Sequence, residues 1–236
     1  MRRVYELDKR DIIPTTLEVL AWQKIPEGSS SVRIKRLADE AIGIFQDIAQ
    51  PIGLVEDFDA DEFPGLYNGN GLNAADGPVP SIAARAKATA LMAATMGDAV
   101  ALKCKEFMTQ GKASISYMLN AVCAVGADRL GCKMCRVFRE RLLSENGETP
   151  DIKVQYYSPG HCGWHISGQE KLFAALHPDE IGMSLDAHFI MYPFKSISGI
   201  LAAGLMEIHR FNNDFSFCAH CRSYKCAERI RQLENE

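Results

Sequence analysis

The chain has 236 residues, 47% of them hydrophobic and 24% charged, with a net charge of −4. That is apolar material enough for one large domain or two small ones with a substantial core. The acidic balance argues against a nucleic-acid partner held by a dominant basic surface. No apolar run approaches the roughly 20 residues of a membrane span, and Met1 to Glu6 lacks the apolar stretch of a signal peptide, so a cytoplasmic protein is expected. Eight cysteines in a reducing compartment point to buried thiols or ligands rather than disulfides.

In chain order, Thr15 or Thr16 caps a short helix reaching Trp22. Ser29 to Ser31 introduce a longer one, with Ile34, Leu37, Ala38, Ala41, Ile42, Phe45 and Ile48 on one stripe and Pro51 as its stop. Residues 52–58 read as a strand, and the acidic run Asp57 to Glu62 as a solvated loop. The alanines of 81–96 favour helix by propensity, while Thr89, Thr95 and Gly97 leave a buried strand open for 87–96. A helix follows from Asp98 to Met108, and a long one from about Ser114 to Ser144. On the latter, Cys132 and Cys135 share a side, as residues three apart do.

Residues 152–157 form an extended approach to the densest chemical stretch in the chain, Tyr156-Tyr157-Ser158-Pro159-Gly160-His161-Cys162-Gly163-Trp164-His165. Pro159 and Gly160 force a turn whose main chain a ligand can approach closely. Ser167 to Glu170 read as a capping box, which puts the turn before a helix N-terminus with amides available to an anion. The runs 189–193, 196–204 and 207–211 are β-like, the last two arranged as a hairpin. Near the C-terminus Cys218, Cys221 and Cys226 give C-x2-C-x4-C in a short polar tail. Three thiols so close, where no core can cover them, point to zinc or an iron-sulfur cluster. Cys162 is the preferred fourth ligand, with His220, Cys132 and Cys135 behind it.

Residues 156–204, read as one unit, resemble the activation (reactivation) domain of vitamin B12-dependent methionine synthase, in its stand-alone form. The carrying segments are Ser158-Pro159-Gly160, Gly182-Met183-Ser184-Leu185, Phe189-Ile190-Met191-Tyr192-Pro193 and Ser196-Ile197-Ser198-Gly199. The resemblance implies an α+β fold, a single domain with a twisted antiparallel sheet flanked by helices, read as covering 1–211; the cysteine-rich tail 212–236 lies outside the family pattern and is expected to pack on the same domain. It also implies a S-adenosylmethionine site involving Tyr156, Ser158, Pro159, Gly160 and His161. Further implied are a cobalamin on a partner corrinoid methyltransferase and an electron donor. Against the motif R-x-x-x-G-Y, Tyr156 stands at the arginine, Gly160 matches and His161 replaces the tyrosine, while a glutamate of the long helix falls at Cys132. Arginine would pair with a ligand carboxylate and glutamate with an amine, so these substitutions remove charge from the site and add soft ligands.

Overall fold

The computed structural model describes residues 1–68, 71–147, 151–211, 215, 218 and 225–234, without the side chains of 146, 225–227 and 232. Its elements, in order, are β1 (Arg2–Glu6), α1 (Thr16–Trp22), α2 (Val32–Ile48), β2 (Ile52–Asp57), α3 (Phe63–Tyr67), α4 (Val79–Arg85), β3 (Ala88–Thr95), α5 (Ala99–Thr109), α6 (Ala113–Asn146), β4 (Lys153–Tyr157), α7 (Gly168–Leu176), β5 (Ser184–Leu185), β6 (Met191–Tyr192), β7 (Ile197–Gly204), α8 (Met206–His209) and α9 (Lys225–Glu234).

Five strands make one antiparallel sheet in the order β1-β2-β3-β7-β4, and β5 and β6 form a separate two-stranded ribbon. The alternation of side chains along a strand sends neighbours to opposite faces, and both faces are covered. Val55, Met92, Leu201 and Tyr156 pack beneath α1, α2, α5 and α6. Their neighbours Leu54, Leu91, Ile200 and Tyr157 pack beneath α3, α4, α7 and α8. Burial on both faces explains why β3 and β7 read as unbroken small and apolar runs rather than alternating ones.

The predicted helix starts at Thr15 and Ser31 hold: Thr15 forms a capping box with Glu18, and Ser31 accepts from the Ile34 amide at 3.3 Å. One open alternative is settled, as the buried strand left possible for 87–96, and two local expectations change. Helix covers only Val79–Arg85 of the alanine-rich stretch, because 88–95 pair with β2 and β7 at the centre of the sheet, where burial overrides alanine's helical propensity. Residues 206–209 form α8 rather than the second arm of a hairpin, since β7 already has β3 and β4 on its two sides. Of 189–193 only Met191 and Tyr192 are strand, paired with β5.

Buried polar groups tie the layers. The guanidinium of Arg141, 5% exposed, meets the Asp57 carboxylate, which also receives the N-terminal amine at 2.9 Å. Ser198 donates to Gln169 Oε1 at 2.6 Å, joining β7 to α7. Tyr157 and His209 share a hydrogen bond of 2.9 Å between the hydroxyl and Nδ1, with His209 fully buried. Burial pushes this imidazole down to about 4, with Arg85 adding to the effect and the Lys153 carbonyl opposing it.

Two outcomes follow from the packing. A Cβ on Gly131 would meet the Tyr156 ring at 2.5 Å, so Gly131→Ala should destabilise the fold by about 1–3 kcal/mol in urea melts, as overpacked sites do. A histidine whose folded value lies below its unfolded one binds its proton preferentially in the unfolded state. Its contribution is therefore complete above pH ~6.5 and is lost as pH falls toward 4, about 3 kcal/mol in all. Unfolding free energies of the wild type and His209→Gln between pH 7 and 4 should diverge in slope over that window.

Candidate functional site

Antiparallel pairing gathers five chain segments at one end of the sheet. The C-terminal ends of β1, β3 and β4 and the N-terminal ends of β2 and β7 all lie there, since Glu6 pairs with Ile52, Ile52 with Thr95, Ala94 with Ile197 and Tyr157 with Ile200. The turn after Tyr157 therefore shares this end with Gly97, Pro51 and the 193–196 connection.

The turn itself is held by its own backbone. The His161 amide donates to the Ser158 carbonyl at 3.1 Å, the Trp164 amide to the His161 carbonyl at 2.9 Å, and the Gly160 amide to the Trp164 carbonyl at 2.7 Å. Gly160, Cys162 and Gly163 have φ of 90°, 51° and 76°. Only glycine takes such values freely, so Cys162 sits in a strained backbone region that the surrounding packing must maintain. Asn73 supplies part of that packing: its amide donates to the Tyr67 carbonyl at 2.5 Å and its oxygen accepts from the His165 amide at 2.8 Å. Trp164, 1% exposed, packs edge-on to Phe63 at 5.4 Å and near Tyr67 at 5.5 Å. Burial first, then Cys162 and Asp76, push the Tyr67 hydroxyl up to about 12.

The expected capping box does not form. Ser167 is already helical in φ and ψ, and its hydroxyl bonds His165 Nδ1 at 2.9 Å. The amides of Gly168, Gln169 and Glu170 donate to the carbonyls of His165, Ile166 and Ser167, so the α7 terminus has spent the donors an anion would need.

Of the expected ligand-site residues, Ser158 is half-buried, Pro159 buried and Gly160 exposed. Tyr156 points to the α6 side of the sheet, against Gly131. The Arg229 guanidinium of α9 lies 4.1 Å over the Tyr156 ring, a cation–π contact of about 0.5–2 kcal/mol. Burial raises the Tyr156 hydroxyl above its ordinary value, with Arg229 opposing. His161 is half-buried, and its Nδ1 has no hydrogen-bond partner among the described residues. Burial lowers its proton affinity, Arg229 lowers it further, and Asp128 and the Pro159 carbonyl oppose. Burial and Arg229 thus both favour the neutral imidazole, whose Nδ1 is itself buried.

The cysteines divide. Cys162 is buried among Tyr67, Phe63 and Trp164 on the α7 side of the sheet. Cys132 and Cys135 line a small pocket on the α6 side with Arg229 and Leu233 of α9. Cys218 is half-buried and its amide bonds the Phe215 carbonyl at 2.8 Å. Cys221, His220 and the Cys226 side chain lie outside the described residues. Among the described residues no three His, Cys, Asp or Glu gather as a metal set.

A broad concavity lies not beside Gly160 but further along the same sheet end. A groove of about 970 Å³ runs from Glu6 and Leu7 past Gly97 and Leu102 to Tyr192, Pro193 and Phe194. A second cavity of about 520 Å³, between α5 and α6, adjoins it through Ala101, Lys105 and Phe194. These volumes suit a substantial ligand. On the wall of the second cavity Cys104 and Cys123 interact across the two helices. Hydrogen bonding from Cys123 lowers the Cys104 thiol, with Lys195 adding to that, and raises Cys123. Sequence reading passed over this region because its residues come from several separate segments; Gly97, with φ of 80°, and the 189–193 motif were its two visible traces.

No protein-family model matches the chain. No curated protein matches it in sequence. Among solved structures it is similar to the MetH reactivation domain bound to AdoHcy, at a TM-score of 0.59 and 15% identity, over 100% of this chain and 88% of that one. The fold is therefore that of the MetH reactivation domain, as the resemblance of 156–204 implied.

Because Asn73 bridges Tyr67 and His165, Asn73→Ala leaves the His165 amide without its acceptor. Thermal unfolding should drop by the equivalent of about 1–3 kcal/mol, and amide exchange should rise in 158–165 with the rest of the sheet unchanged.

Proposed function

We propose that the chain serves a corrinoid-dependent methyltransferase as a stand-alone reactivation protein, binding an S-adenosyl ligand at the sheet end where the 158–164 turn stands. The observation that carries this reading is the full-length match to a domain solved with AdoHcy bound. The turn supports it: Gly160 is exposed at φ 90°, where no side chain bars a ligand's approach. Cobalamin would come on the partner protein, and an electron donor would complete the reductive step. No helix among the described residues is long and apolar enough to cross a membrane, and the chain is read as acting in the cytoplasm without a nucleic-acid partner. The tail 212–236 is read as part of the same domain, supported by Arg229 on Tyr156 and by Arg210 Nε on Glu234 at 3.0 Å.

A second feature belongs to this reading, a zinc or iron-sulfur centre on the tail cysteines Cys218, Cys221 and Cys226. Cys162 was the sequence's choice of fourth ligand. The packing of α9 against Cys132 and Cys135 favours that pair, two thiols one helical turn apart, as the body's contribution. When bound, such a centre would supply electron transfer if iron-sulfur and structural closure of the tail if zinc. Anaerobic purification with quantified iron, zinc and sulfide tests it; a metal-free, colourless protein removes the centre from the account.

For the ligand, isothermal titration with S-adenosylmethionine and S-adenosylhomocysteine should show one site. Gly160→Val, which crowds the turn and cannot easily hold φ 90°, should weaken it at least tenfold while the circular dichroism spectrum is retained. Absence of heat with either ligand contradicts the reading.

A further inference from the structure

The cavity of about 520 Å³ between α5 and α6 has walls that are mostly apolar. Met96 and Val100, each 2% exposed, form part of them. Met108, Tyr117 and Phe194 line the same cavity with 58%, 64% and 51% of their surface in solvent. Three large apolar side chains left wet around one opening are surface that a ligand's apolar part would cover.

The charge at this cavity has one sign. Lys105 of α5 and Lys195 of the 193–196 connection line it, and no Asp or Glu among the described residues does. Neither lysine has an ion pair among the described residues, and Glu106, the neighbour of Lys105, is taken by Lys103 at 2.9 Å. The acids Glu6 and Asp98 belong to the adjoining groove instead. Lys195 is half-buried at φ 70°, in a connection closed by the Ser196 hydroxyl donating to the Pro193 carbonyl at 2.6 Å. Its Nζ lies 5.2 Å from the centre of the Phe194 ring. The thiols of the wall feel the same ammonium. Cys104 is lowered first by its hydrogen bond with Cys123, against burial, and then by Lys195, which also opposes the rise that this bond and burial cause at Cys123.

Apolar walls with cations alone among the charged groups are complementary to a molecule that joins an apolar chain to an anionic head. We propose that this cavity binds an amphiphilic carboxylate, its chain against Met96, Val100, Met108 and Phe194 and its head at Lys195 and Lys105. Burial of the chain supplies affinity, and the lysines select the head group, since an ammonium is a point charge that a carboxylate satisfies without fixed geometry. Asn120, half-buried in the same wall and without a hydrogen bond among the described residues, adds an amide donor. The volume is that of a small-molecule site. None of the residues 158–164 lines the cavity, so the proposal goes beyond the S-adenosyl reading and does not depend on it.

The test titrates the full chain with decanoate below its micelle-forming concentration, beside decanol and decyltrimethylammonium as uncharged and cationic counterparts. Calorimetry should show one saturable decanoate site, with amide exchange slowed in 96–109 and 193–196 and unchanged in 158–164. Decanol should bind roughly tenfold more weakly, and the cation more weakly still. Lys105→Gln/Lys195→Gln should cost decanoate roughly tenfold and leave decanol unchanged, a split that loss of structure would not produce. Should the double variant not fold, Lys105→Gln alone, at an exposed position, should shift decanoate and not decanol in the same sense. No saturable decanoate binding, equal affinity for the three head groups, exchange slowed only elsewhere, or wild-type selectivity in the variant overturns the proposal.

Discussion

The close seating of α6 on the sheet is the constraint on which the other features depend. It needs glycine at two contacts with the sheet, where a Cβ on Gly131 would reach the Tyr156 ring at 2.5 Å and one on Gly53 the Met134 side chain, and at one with α2, where a Cβ on Gly126 would reach the Phe45 ring at 2.8 Å. With those positions bare, a helix of 34 residues lies along the sheet from the open cavity near Cys123 to the buried Arg141 near Asp57. Burial of Phe138, Leu130, Val122 and Leu119 in the core shared by the sheet, α1, α2 and α5 holds it there. At roughly 1.5–3 kcal/mol per buried large apolar side chain, this interface is among the strongest in the molecule. Everything on the helix is placed by that seating, including Cys132 and Cys135 of the small pocket.

The same seating decides what surrounds Tyr156. The ring fills the space over Gly131, so its face is available to a group arriving from outside the sheet, and Arg229 occupies it. Charge that was absent from β4 in the sequence reading is thus supplied by a helix some 70 residues later, with Asp128 as the acid that faces the same rings. The two sides of the sheet then do different things. The α7 side is an aromatic cluster that locks the turn in a strained shape, and the α6 side carries the cations, thiols and open cavities.

Most of the fold was legible because its determinants are local. Thr15 with Glu18, Ser31 with Pro51, and the apolar stripe of the long helix each specify an element without help from the rest of the chain. The segments left open or changed are those decided by partners. Alanines 88–94 become a central strand only because β2 and β7 flank them, and 206–209 become helix because β7 has no free edge. The site was legible at the turn, where Pro159 and Gly160 announce a shape, and illegible at the groove and the small pocket, whose walls come from segments far apart in sequence. Ser167 shows the converse: a local capping pattern lost to a stronger local partner, His165.

Service to a corrinoid carried by another polypeptide is the proposed function; the fold is what the likeness shows. The most direct measurement is to mix the chain with a cobalamin-bearing methyltransferase domain in the Co(II) state, with S-adenosylmethionine present, and follow both complex formation by gel filtration and the corrinoid absorption spectrum. The account predicts a complex and a shifted spectrum, with methylcobalamin appearing once a reductant is added. Separate elution with an unperturbed spectrum would contradict it.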